Sequence, residues 1–134
     1  MSEQIFNQID KCNSSISHYD MASILHKVFK DKYRYLGNHK WEYYDFILQE
    51  WKPDFRSEKM TLDIKTVISD LFTSRALYWH KESLKSKSDT DKAMYADFLY
   101  EKLINASVKL KNTKFILILI REAGSLFDIH NNDD

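Results

Sequence analysis

The sequence predicts a mostly α-helical domain of four to five helices carrying one small antiparallel β-hairpin or meander at about residues 33–52. Three observations predict it. The 134-residue chain holds only two Gly and one Pro, too few breakers for a fold built of many tight turns. Apolar residues recur at three-to-four spacing along most of the chain, the period of a helix with one buried face. Between residues 32 and 55 that period gives way to alternation, in a stretch holding eight aromatic residues: Tyr33, Tyr35, Trp41, Tyr43, Tyr44, Phe46, Trp51 and Phe55.

The elements follow in order. Residues 1–14 carry Ile5, Phe6 and Ile9, enough for a leader or a short docking helix, and "NSS" at 13–15 is a break. Ser17 with Asp20 three residues on is a helix-start signature, because the hydroxyl caps a free N–H and the acid suits the positive helix end. Tyr19, Met21, Ile24, Leu25, Val28 and Phe29 then mark a helix over 18–31. Tyr33 and Tyr35 alternate with Arg34 and Leu36, "GNHK" supplies turn chemistry, and Trp41 and Tyr43 alternate with Glu42 and Tyr44. That is a β-hairpin. Trp51 opens a short third strand that Pro53 closes.

From Ser57 the helical period returns, with Ile64, Val67, Ile68, Leu71, Phe72, Tyr78 and Trp79 on one side of a helix to about residue 86. Arg75 lies in that stripe and needs a partner if buried. "SKSDTD" at 86–91 is a polar loop in which Ser88 and Asp91 repeat the cap signature. Met94, Phe98, Leu99, Leu103, Ala106 and Leu110 form a fourth helix, and Asn112 or Thr113 caps a last one. On that last helix Phe115, Ile118, Leu119, Glu122 and Leu126 share a face, which leaves Ile116, Leu117 and Ile120 outside it. A helix apolar nearly all round is either buried on several sides or covered by a partner, and these three are the candidate partner interface. Residues 129–134 read as a disordered tail. Residues 1–134 form one domain, without internal repeats.

Composition bounds the function. A formal net charge of zero gives no global steering toward nucleic acid or acidic lipid, so any such contact rests on local patches. The single cysteine, Cys12, excludes an internal disulfide framework and suits a reducing compartment. Glu3, Gln4, Asn7 and Gln8 interrupt any secretory apolar core, and "FILILI" at 115–120 is far short of a membrane span. The expectation is a soluble intracellular protein that is not secreted.

Chemical motifs are mostly absent. The two glycines sit in no phosphate-cradling pattern. His18, His26, His39, His80 and His130 show no metal-ligand spacing and read as surface or edge residues, and Cys12 has no nucleophile motif. The expectation is therefore a protein that is not an enzyme, with no cofactor, metal or small-molecule substrate. Local charge is more informative. Lys102, Lys109, Lys111, Lys114 and Arg121 span a stretch without an acid, and Lys27, Lys30, Lys32, Arg34 and Lys40 face only Asp31. These are either phosphate-contact patches or ordinary solvated helix faces. The aromatic stretch also has two readings. Period-two Trp41 and Tyr43 facing Tyr33 and Tyr35, with Trp51 as a further anchor, form a structural aromatic core that pins the sheet. Tyr44 and Phe46 fall on the opposite face, where bases could stack beside Arg34 and Lys40. The candidate nucleic-acid contacts are thus Arg34, Lys40, Tyr44, Lys109, Lys111 and Lys114.

One resemblance covers residues 17–128. "HYDMASILHKVFKDKYRYLGNHKWEYYDFILQEWKPD", "LDIKTVISDLFTSRALYWHKES" and "LKNTKFILILIREAGSLF" resemble the region just ahead of the helicase domain in poxvirus-type primase-helicases of large DNA viruses, which related phage and plasmid primases also carry. His18, Tyr19 and Asp20 match its first motif; Trp41, Tyr43, Tyr44, Phe46 and Trp51 match its hairpin. Leu110, Asn112, Phe115, Ile120, Glu122, Leu126 and Phe127 match its last. In that family a ring-forming helicase with its own ATP site follows, and a primase domain often precedes; neither motif is in this chain. The resemblance implies either a domain of a larger enzyme or a stand-alone viral protein. It implies a non-catalytic accessory, linker or collar role in DNA replication, with itself or helicase-primase components as partners and single-stranded DNA as a further contact.

Overall fold

The computed structural model describes residues 2–12 and 17–130. In chain order it forms α1 (Ser2–Asp10), α2 (His18–Phe29), β1 (Tyr33–Gly37), β2 (Lys40–Asp45), β3 (Glu50–Pro53), α3 (Glu58–Asp63), α4 (Ser69–Lys85), α5 (Thr90–Lys109) and α6 (Thr113–Phe127). One π-helical turn, Ile64–Ile68, runs α3 into α4, so the two make a single rod. The described residues are therefore five helical rods and a three-stranded antiparallel meander in the order β1-β2-β3, the mostly α fold the sequence predicts.

Local chemistry accounts for the starts. Ser17 Oγ accepts from the Asp20 N–H at 3.1 Å and Asn112 Oδ1 from the Phe115 N–H at 3.0 Å. Asp89, not Ser88, caps α5, accepting from the Lys92 N–H at 3.2 Å. In the β1–β2 turn both Asn38 and His39 have positive φ (53° and 62°), the mirror-image geometry whose twist matches the strands it joins. The break expected at 13–15 lies outside the described residues.

α2 and α6 pack side by side and run parallel: His18 stacks on Phe115 at one end and His26 meets Phe127 edge-on at the other. Their buried residues, among them Met21, Leu25, Phe29, Leu119 and Ala123, join Met60, Ile64, Ile68 and Phe72 of the long rod in one core. α4 and α5 form an antiparallel pair, tied by Ser83 Oγ donating to Asp97 at one end and Ser69 Oγ donating to the Ser107 carbonyl at the other. The sheet lies on α6. A Cβ at Gly124 would stand 3.4 Å from the Tyr35 ring, and Trp41 meets Phe127 at 5.4 Å.

Three expectations need correcting. Ile116 (0% exposed) and Ile120 (4%) are core, so of the proposed interface residues only Leu117 (47%) faces outward. The buried face is Ile116, Leu119, Ile120, Ala123, Gly124 and Phe127, turned from the predicted stripe. Second, Trp51 is no inner anchor: it pairs with Tyr44 in the ladder, and directly opposed residues share a face. Third, order continues past α6, because the Ile129 N–H donates to the Tyr35 carbonyl and Asp128 bridges β1 in parallel; the rest of the predicted tail, 131–134, lies outside the described residues.

The fold opposes the protonation of His26. Burial, and then the Lys30 charge nearby, hold its imidazole below the usual histidine range. The unfolded chain therefore takes up this proton near pH 6.5 while the folded chain resists it, so stability falls as pH drops through that value. Thermal melts between about pH 7 and pH 5 should show a smaller loss for His26→Gln than for the wild type; an equal loss would exclude His26 as a contributor.

Candidate interaction site

The register divides the sheet into two unlike faces. Tyr33 pairs with Tyr43 and Tyr35 with Trp41, and these four rings face the helices. Tyr33 meets Phe29 of α2, Lys59 of α3 lies over the Tyr43 ring, and Tyr35 and Trp41 meet Gly124 and Phe127 of α6. The Tyr33 hydroxyl donates to Asp63 Oδ2 at 2.5 Å, where Lys32 Nζ also lies 2.9 Å away, and burial raises its pKa above the usual tyrosine value. The outer face carries Arg34, Glu42, Tyr44 and Trp51. Arg34 Cζ sits 4.3 Å over the Trp51 ring while Nε donates to Glu42 Oε1 at 2.7 Å. Tyr44 meets Trp51 at 5.3 Å and Phe46 at 4.8 Å, both edge-on.

Beyond this aromatic row the β2–β3 turn ends in an apolar apex. Phe46 is 63% exposed, Ile47 92% and Leu48 55%. Asp45 holds it: Oδ1 accepts from the N–H of both Ile47 and Leu48 at 3.0 Å, and Oδ2 lies 3.4 Å from Lys52 Nζ. Those backbone donors, Leu48 first, keep the Asp45 carboxyl below the usual carboxylate range. Gln49 closes the turn at φ 55°, where glycine is ordinarily preferred. With its backbone held by Asp45, the apolar tip loses less backbone freedom on binding, which favours a protein contact.

The predicted nucleic-acid residues do not converge. Arg34 and Tyr44 belong to the outer face, where Glu42 neutralises Arg34. Lys40 sits at the β1–β2 tip beside Glu42, Phe55 and Arg56. Lys109, Lys111 and Lys114 lie on the α5–α6 connection, at the end of α2 and α6 away from Phe127. Lys102 leaves the basic patch altogether: it is 7% exposed and donates to the carbonyls of Asp10 at 2.8 Å and Cys12 at 2.7 Å.

Among the described residues no three His, Cys, Asp or Glu side chains are grouped to hold a metal ion. Burial, with Asp20 adding to it, pushes the Cys12 thiol up to about 11, so it stays protonated at neutral pH. No helix of the described residues is long and apolar enough to cross a membrane. No protein-family model and no curated protein sequence matches the chain. Sequence reading missed Ile47 and Leu48; the available signal was Asp45, a residue that bonds the backbone two and three positions on.

Proposed function

We propose that the protein is a non-catalytic accessory or linker module of a viral DNA-replication primase-helicase, working inside the host cell at the site of replication. The replication context rests on the sequence resemblance over residues 17–128. The mode of action rests on one observation: an exposed apolar apex, Phe46–Leu48, whose backbone Asp45 holds beside the Tyr44–Trp51–Arg34 row. Such a tip acts through protein contacts, with helicase-primase components or a second copy as partner. DNA contact is secondary and falls to Lys109, Lys111 and Lys114, since Arg34 is already paired. Three phosphate contacts give weak, sequence-independent binding with a log–log salt slope of about −2 on single strands.

Fluorescence anisotropy with labelled single-stranded DNA at low salt tests the DNA arm. Binding that is lost when the three lysines become Gln supports it, and no binding by the intact chain removes it. Capture of a helicase-primase component, lost on Ile47→Asp, tests the protein arm. The second reading is a stand-alone viral structural or adaptor protein without nucleic-acid binding. The separation of Lys109, Lys111 and Lys114 from Arg34 and Tyr44 favours it, and absent DNA binding together with no captured replication component would establish it over the first.

A further inference from the structure

We propose that the Phe46–Leu48 apex of one copy docks into the α5–α6 groove of a second copy, so that the chain associates head to tail. The inference deepens the reading above by naming the partner, and it rests on that reading only in taking the apex as the contact element.

The groove is the complement of the apex. His18, Val108, Phe115 and Ile118 line a cleft of about 490 Å³ whose rim carries Lys109 and Lys114. Val108 is 65% exposed and Ile118 41%. An apolar cavity of about 150 Å³ holds a benzene ring, so the cleft has room for the Phe46 ring and the Ile47 side chain together. Charge matches as well. Lys109, Lys111 and Lys114 stand in a stretch without an acid and form no ion pair among the described residues. At the base of the apex Asp45 is held by Lys52, while Glu50, directly opposite Asp45 in the ladder, is exposed and in no ion pair among the described residues.

Neither surface can reach the other within one molecule. The strands leave the C-terminal end of α2, and the Tyr44 N–H bonds the Lys32 carbonyl, so the apex projects past that end. The groove lies at the N-terminal end, marked by His18 against Phe115. The 12 residues of α2 separate them by about 18 Å. Two unlike patches at opposite ends make a heterologous contact, which closes into a ring or runs on as a filament. With three apolar residues at its centre and a charged rim, the contact is weak and weakens further with salt.

Sedimentation velocity of the full chain at low salt reads it. The mass should rise with concentration, and Ile47→Asp and Val108→Asp should each weaken association by roughly tenfold or more, the scale of losing one buried aliphatic side chain. Both positions are exposed, so circular dichroism should show either variant folded. Mixing the two variants is decisive: each keeps one intact half, so the mixture should form pairs and nothing larger. Glu50→Lys should weaken the wild-type contact, and Lys109→Glu with Lys114→Glu in the other copy should restore it. A wild type that stays monomeric, or association surviving both single variants, overturns the proposal, as does a monomeric mixture. If the wild type is monomeric yet Ile47→Asp still abolishes capture of a helicase-primase component, the accessory-module reading stands and the self-docking falls.

Discussion

Trp41→Ala should lower stability by about 3–5 kcal/mol, the cost of removing a buried tryptophan and leaving a cavity. The side chain is 6% exposed and meets Tyr35 at 4.9 Å and Phe127 at 5.4 Å. It is the ring through which β2 touches α6, so its loss both opens the core and frees the meander from its support. Against a total of about 5–15 kcal/mol for a domain, that is a large share. Urea unfolding followed by tryptophan-independent far-UV dichroism measures it through the midpoint at unchanged slope. Trp51→Ala is the matched control. Its ring lies on the outer face among Tyr44 and Arg34, so it should cost less than half as much. Equal costs for the two would mean that the outer face is as much a structural core as the inner one.

That contrast shows where sequence reading reaches and where it stops. Alternation was enough to set Trp41 and Tyr43 against Tyr33 and Tyr35, but the exact pairs also depend on an irregularity between Tyr35 and Gly37 that shifts the ladder by one residue from the turn's own Gly37–Lys40 pairing. Trp51 was misplaced because its face depends on the length of the second turn. Phe46, Ile47 and Leu48 carry no turn chemistry of their own, and only the Asp45 side chain defines that turn. α6 failed in phase for a different reason. Six consecutive apolar residues fit any rotation of the helix about its axis. The deciding residues were small: Ala123 and Gly124 face inward, and Gly124 admits the Tyr35 ring. The need of Arg75 for a partner was legible from its place in an apolar stripe. That the partner is Asp10, 65 residues away, was not.

The cluster around Asp10 carries the second large effect. Asp10 sits at the C-terminal end of α1, where its carboxylate accepts from Arg75 Nε at 3.0 Å and Arg75 Nη2 at 2.6 Å. It also accepts from Trp79 Nε1 at 2.9 Å. The Arg75 guanidinium is stacked 4.1 Å from the Tyr78 ring and lies 5.3 Å from that of Phe6, while Lys102 holds the carbonyls that end α1. The pair is mostly buried, with side-chain exposures of 15% and 13%, and the Asp10 bond raises the Arg75 pKa above its usual value. Removing one partner of such a pair leaves a charge without compensation and costs about 3–5 kcal/mol. Arg75→Ala should therefore destabilise by about 3 kcal/mol and detach α1, exposing the amides of residues 5–10 to hydrogen exchange before the rest of the chain. Asp10→Ala should cost a similar amount, because it orphans Arg75 and the Trp79 N–H together. The double variant should cost clearly less than the sum, since the two changes remove one shared interaction. Additive costs would show that Arg75 acts through its aromatic neighbours, and α1 would then be held by Lys102 and the Ile5 and Ile9 side chains instead.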